Sequence, residues 1–156
     1  MDTTEIQLLI IQRLQDDLRI AQDALRASHE AATHAESKAE NKYDTRGLEA
    51  AYLADGQRRR VREIEAALAA YRNLKVERGD GIRIGALVVL EHEDGERWVY
   101  LGPDGAGLKL AVEGREVLVI SPRSPLGQAL LGREQDDEVE IRVNGQPQRY
   151  LIRERY

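Results

Sequence analysis

From Ile11 the apolar and small residues step by three and four without a break, through Leu14, Leu18, Ala21, Leu25, Ser28, Ala32, Ala35 and Ala39. That alternation is the seam of a coiled coil, because it keeps one stripe of side chains on a single helix face. No glycine or proline precedes Gly47. Thr4-Glu5-Ile6-Gln7 has the form of a capping box, with Thr4 as N-cap and Gln7 three positions on. A helix from Thr4 to about Lys42 is roughly 55–60 Å long at 1.5 Å per residue.

A second seam runs backward from Tyr71 through Leu68, Ile64, Val61, Gln57, Ala54 and Ala50. Asp44 or Thr45 can cap its start, since either side chain accepts from exposed N–H groups. Two such helices joined by a short connection pack antiparallel. The expected N-terminal domain is therefore an antiparallel coiled-coil hairpin over residues 1–75, with its tip near 40–49. Both seams are Leu, Ile, Val and Tyr near the base and Ala, Ser and Gln towards the tip. Small residues bury less area, at about 25 cal/mol per Å², so the tip is expected to be the least stable part. Gly56 lies inside the second helix. The expectation there is close helix contact, with a kink as the alternative.

The tip carries the carboxylates Glu36, Glu40, Asp44 and Glu49. Glu36, Glu40 and Asp44 are spaced by four, and so are Lys38, Lys42 and Arg46. Such rows set like charges beside each other, where mixed pairs would stabilise a helix. The pattern fits either a solvated face or a functional one. Arg58-Arg59-Arg60 with Arg62 forms a basic cluster. It suits a solvated face pairing with Glu63 and Glu65, or docking against an acidic partner.

Charged residues make up 33% of the chain and aromatics only 4%, which favours an elongated, solvent-rich protein. The net charge of −5 argues against non-specific nucleic-acid binding. The absence of cysteine removes disulfide, thiol and zinc–thiolate chemistry. His29 and His34 are five apart and off one helical face, so they are not a metal pair. The N-terminus has no basic region, and Leu8-Leu9-Ile10-Ile11 is too short for a signal or a membrane span. A soluble, cytoplasmic monomer with no membrane association is expected.

Residues 75–81 break the periodicity and read as a linker. Short strand-like runs follow at Ala86–Leu90, Trp98–Leu101, Leu108–Val112, Val117–Ile120, Val139–Val143 and Arg149–Arg153. Asp94-Gly95 and Asn144-Gly145 are hairpin-turn dipeptides. The glycine-rich loop from Gly102 to Gly107 lacks the Lys-Ser/Thr ending and following helix of a phosphate loop. Ser124 is a natural N-cap, Pro125 suits the first helical position and Gly132 the position after the C-cap. The class is α+β: the hairpin, then a domain over 76–156 with an antiparallel sheet and one short helix.

The segment from Ser124-Pro125-Leu126 through Gly132 to Ile141 resembles the C-terminal signature of the Gre family of bacterial transcript cleavage factors. Ile84–Leu90 is similar to the first strand of that family's FKBP-like domain. The resemblance implies an FKBP-like fold for 76–156 and RNA polymerase as partner. It implies that the globular domain docks at the rim of the secondary channel while the hairpin enters it. Tip carboxylates then help hold a catalytic Mg²⁺ shared with the polymerase, which hydrolyses backtracked nascent RNA. No cofactor or metal is expected in the free protein, which is an accessory factor rather than an enzyme. Of the acids, Asp44 and Glu49 rank first and Glu40 next. Ser124, Pro125, Leu126, Arg58 and Arg59 are the expected polymerase contacts.

The family's tip pattern, Asp-Leu-x-Glu-Asn-Ala-Glu-Tyr, is matched loosely by Asp44-Thr-Arg-Gly-Leu-Glu-Ala-Ala-Tyr52, with a longer Asp–Glu spacing; Glu40-Asn41 before Tyr43 competes. Relatives of this architecture also inhibit or modulate the polymerase without cleavage. A coiled-coil scaffold unrelated to transcription is a further alternative.

Overall fold

The structure, a computed structural model, describes residues 2–37, 46–76 and 79–156, with the side chains of 35–37 and 46 excepted. Its order is helix α1 (Thr3–Ser37), helix α2 (Arg46–Arg72), strands β1 (Leu87–His92), β2 (Gly95–Leu101), β3 (Lys109–Val112) and β4 (Arg115–Ile120), helix α3 (Pro125–Leu130), and strands β5 (Glu138–Val143) and β6 (Gln146–Arg155). The chain forms two compact units, Gln12–Leu68 and Met1–Ile11 with Ala69–Tyr156.

The first unit is the shaft of the hairpin. On α1 it buries Leu14, Ala21, Ser28 and Ala32. On α2 it buries Ala54, Val61, Ile64, Ala67 and Leu68. Leu14, Ala21 and Ser28 are seven apart, as are Ala54, Val61 and Leu68, which is the heptad spacing of the sequence. Leu18 and Leu25 are half-buried. Ion pairs along the solvent side join Arg13 to Asp17 at 3.4 Å and Arg26 to Asp23 at 2.5 Å. Exposed pairs of this kind contribute little each.

Gly56 departs from expectation. It is exposed, and a Cβ built on it meets nothing within 4 Å. Close helix contact is therefore not its role.

The second unit holds the two helix ends and the sheet. Here α1 starts at Thr3, and Asp2 accepts from the Thr4 N–H at 2.9 Å. Asp2 thus caps the helix in place of Thr4. Gln7 does not reach back to close a capping box; its side-chain amide donates to the Tyr71 carbonyl at 2.9 Å. This bond joins the beginning of α1 to the end of α2, so the two helices run antiparallel.

The six strands lie in the order β3-β4-β2-β1-β6-β5. Leu87, Val88, Val89 and Leu90 are all buried, so β1 is covered on both faces. This is why its sequence is a continuous apolar run rather than an alternating one. On one face Val88, Leu90, Val99, Leu101, Ile120, Val139 and Ile152 form a core with Leu130 of α3. Leu126 and Ala129 pack against that core, as their spacing predicts.

One pairing differs from an all-antiparallel sheet. β2 and β4 run parallel, with Trp98 opposite Val117 and Leu101 opposite Ile120. After β2 the chain passes through the Gly102–Gly107 loop to the outer position and returns as β3. It then turns at Glu113-Gly114, where both φ angles are positive (50° and 76°), and β4 fills the slot beside β2. Two residues with positive φ fit the tight turn that joins twisted strands. Asn144-Gly145 adopts the same signs, 52° and 78°, between β5 and β6. At Val89/Leu90 the register against β6 shifts, which leaves Arg153 as an extra residue in the bulge.

Candidate functional site

The sequence points to two places, the distal end of the hairpin and the turn into α3. At the hairpin end, Glu40 and Asp44 lie outside the described residues, as do the Thr45 cap and the rows built on Lys38 and Lys42. The side chains of Glu36 and Arg46 lie outside them too. Glu49 is described. It stands in the first turn of α2 and is exposed. An acid there is favoured by the unpaired N–H groups of the helix start. Leu48, Tyr52 and Leu53 beside it are all more than half exposed. Among the described residues no group of three His, Asp or Glu side chains could hold a metal ion.

Along α2, Arg58 pairs with Asp55 at 2.5 Å and Arg60 approaches Glu63 at 3.9 Å. Arg59 is exposed. The cluster is thus in part an ordinary ion-paired face.

At α3 the local geometry follows from the residues. Ser124 is extended (φ −67°, ψ 154°), and its Oγ accepts from the Gly127 N–H at 3.1 Å. The same hydroxyl donates to the Ser121 carbonyl at 2.7 Å. Both roles of Ser124 are therefore taken up inside the turn. Pro125 follows at the first helical position and is exposed. Leu126 is half-buried against the core. Of Ser124, Pro125 and Leu126, only Pro125 is exposed. Gly127 was not singled out by the sequence: a Cβ there would lie 1.9 Å from the Ser121 carbonyl oxygen. A Ser-Pro-x-Gly run carries that signal, because the cap folds the chain back onto the fourth residue.

Comparison with known proteins places these features. The family model "Transcription elongation factor, GreA/GreB, C-term" matches residues 77–154, which include the α3 turn, β1 to β5 and all but the last residue of β6. The chain belongs to the GreA/GreB transcription elongation factor family. A GreA transcription elongation factor of Mesorhizobium japonicum is 32% identical over 149 residues, 89% of this chain and 88% of that protein. One from Brucella canis is 30% identical over 151 residues, 90% and 89% respectively. A GreA of Desulfovibrio desulfuricans is 40% identical over 89 residues, and there the chain spans about half (51%) of the relative. The crystal structure of GreA factor homolog 1 from Thermus thermophilus matches 94% of each chain at 20% identity, with a TM-score of 0.36. Membership of the GreA/GreB family rests on the sequence matches.

One cluster on the GreA/GreB domain went unread in the sequence. On the sheet face opposite α3, Trp98 stacks on Tyr156 with ring centroids 6.4 Å apart and planes 13° from parallel. The Arg115 guanidinium lies 4.4 Å over the Trp98 ring. The Trp98 indole N–H donates to Glu96 at 2.7 Å, and the Tyr156 hydroxyl donates to Glu154. That bond to Glu154 holds the Tyr156 hydroxyl above its ordinary pKa. No local signal brings these residues together. The parallel β2–β4 pairing sets Arg115 near Trp98, and β6 brings Tyr156 to the same face.

Proposed function

We propose that this protein acts on RNA polymerase as a secondary-channel factor and stimulates cleavage of backtracked RNA. In this reading the sheet unit docks at the channel rim through the Pro125 turn. The hairpin end delivers carboxylates to the catalytic centre. The polymerase performs the hydrolysis and the factor is not an enzyme by itself. One observation carries the reading: the family match covers the C-terminal half, and the chain before it forms a helical hairpin with Glu49 exposed at the start of its second helix. α1 alone, with 35 residues, is roughly 52 Å long at 1.5 Å per residue. That length suits reach into a deep channel.

Carboxylate oxygens are the donors that Mg²⁺ prefers, and one or two protein carboxylates with phosphate and water complete its shell. Glu49 fits such a part share, with Asp44 or Glu40 as the second acid. The Mg²⁺ would activate the attacking water for phosphodiester cleavage. The factor's own residues supply a negative oxygen at a fixed place and leave the remaining positions to the polymerase and the RNA.

The test is a backtracked elongation complex made with bacterial RNA polymerase. Adding the protein should release a short 3′ RNA fragment and restart elongation. A factor that binds the polymerase but releases no fragment and slows elongation would overturn cleavage. That outcome is the second reading, a channel inhibitor, which the longer Asp44–Glu49 spacing favours. A factor that does not bind the polymerase would leave a coiled-coil scaffold.

A further inference from the structure

Beside the Trp98–Tyr156 stack lies a groove of about 610 Å³ with Val89 in its floor. Its walls carry Glu96, Asp136 and Glu154 together with Trp98, Tyr156 and the two arginines Arg115 and Arg153. Arg153 is committed to Glu91 at 2.9 Å, and Arg115 to the indole face. Glu96, Asp136 and Glu154 have no ion-pair partner among the described residues. Glu96 and Glu154 each hold an aromatic N–H or O–H with one oxygen. A carboxylate has two oxygens, so each has another to offer.

We propose that this groove is a docking site for an arginine-bearing segment of a protein partner. A guanidinium is the group that suits both sets of walls. It is planar and stacks on aromatic rings, and its fork of N–H donors matches carboxylate oxygens. Arg115 already holds the Trp98 face at stacking distance, and the exposed ring of Tyr156 is the one left to an incoming guanidinium. Glu96, Asp136 and Glu154 outnumber Arg115, the one arginine of the groove outside an ion pair, which disfavours phosphate and so nucleic acid as the occupant. Trp, Tyr and Arg gathered in one patch are also the residues that carry most energy at protein interfaces. This site is separate from the α3 turn and from the hairpin end, and the inference does not depend on the function proposed above.

Trp98 is the only tryptophan of the chain, so tryptophan fluorescence reports on its surroundings, of which this groove is part. The experiment titrates the full chain with a capped tetra-arginine peptide, a capped tetra-glutamate peptide and an oligouridylate of similar length. The arginine peptide should change Trp98 emission saturably, and the other two should not. The double variant Glu96→Gln/Glu154→Gln should weaken that binding at least tenfold. Glu63→Gln/Glu65→Gln on α2, which removes the same charge elsewhere, should leave it within twofold. Amide chemical shifts around Trp98 and Tyr156 provide a second readout, and circular dichroism checks the fold of each variant. No saturable change, equal weakening by both double variants, or tighter binding of the glutamate peptide or the RNA would overturn the proposal.

Discussion

The Tyr71 hydroxyl, in the last turn of α2, donates a 2.5 Å hydrogen bond to the backbone carbonyl of Asp104 in the loop after β2. The ring is fully buried, and the loop is shaped around it. A Cβ on Gly102 would fall 2.1 Å from that hydroxyl oxygen and 3.1 Å from the Asp104 carbonyl. Tyr71→Phe should therefore cost about 1 kcal/mol, the net value of one hydrogen bond. Gly102→Ala should cost more, about 2–3 kcal/mol, because the added methyl has no room. The two should be less than additive, since removing the hydroxyl relieves most of the clash. Urea unfolding of the two single variants and the double variant measures all three. Strict additivity would show that the loop does not depend on Tyr71.

Tyr100 offers the opposite case. Its ring is also fully buried, but its hydroxyl has no hydrogen-bond partner among the described residues. An unpaired buried hydroxyl is a cost, so Tyr100→Phe should be neutral or stabilising by up to about 1 kcal/mol. Thermal unfolding decides it. A loss above about 1 kcal/mol would mean that the hydroxyl has a partner after all.

Both phenols bear on alkaline stability. Burial pushes the Tyr100 pKa up to about 12. Tyr71 is raised further, first by burial and then by the nearby Tyr100 and Asp104. The unfolded chain ionises its tyrosines near pH 10, so above that pH it binds fewer protons than the folded chain. Stability is then full below about pH 10 and falls as pH rises towards 12. Each phenol that titrates only on unfolding contributes a slope of about 1.4 kcal/mol per pH unit. Tyr100→Phe should reduce the slope of unfolding free energy between pH 10.5 and 12 by about one proton. An unchanged slope would mean that Tyr100 ionises in the folded protein.

Two glycines should respond with opposite signs to the same substitution. Gly56 is exposed within α2 with open space around it, so Gly56→Ala should stabilise by about 1 kcal/mol through helix propensity. Gly127 faces the Ser121 carbonyl at 1.9 Å from its would-be Cβ, so Gly127→Ala should break the α3 turn and cost several times as much. Midpoints of thermal unfolding for both variants are sufficient. Destabilisation by Gly56→Ala would point to a contact that the open space around it does not suggest.

How far the residues spoke for themselves depended on how local each relationship is. The heptad seam through Leu14, Ala21 and Ser28 was legible because a helix repeats its own environment along the chain. The α3 turn was legible because Ser124, Pro125 and Gly132 each have a specific backbone role within nine residues. The parallel β2–β4 pairing was not, because nothing near Trp98 announces that β3 will take the outer slot. The cap of α1 lies two residues earlier than expected, at Asp2 rather than Thr4, and Gln7 is drawn away by a carbonyl 64 residues further on. Gly56 misled because helix contact and mere tolerance leave the same letter. The candidate site divides in the same manner. The Pro125 turn could be read locally, whereas the Trp98–Arg115–Tyr156 stack depends on three strands.

The tip acids give the decisive functional prediction. If Glu49 shares a metal ion with the polymerase, Glu49→Gln should lower the rate of RNA cleavage in backtracked complexes by about tenfold or more, about 1.4 kcal/mol of transition-state stabilisation. The amide keeps the size of the side chain but loses the charge that a hard cation needs. Binding to the polymerase, measured by competition with unlabelled factor, should stay within twofold. Asp44→Asn and Glu40→Gln, assayed alongside, rank the second acid. The larger loss identifies it, and the expected order is Asp44 before Glu40. Raising Mg²⁺ should restore part of the lost rate if the defect is weaker metal retention. Loss of binding in parallel with loss of cleavage would instead make Glu49 a docking residue. Unchanged cleavage in all three variants would remove the hairpin end from the chemistry.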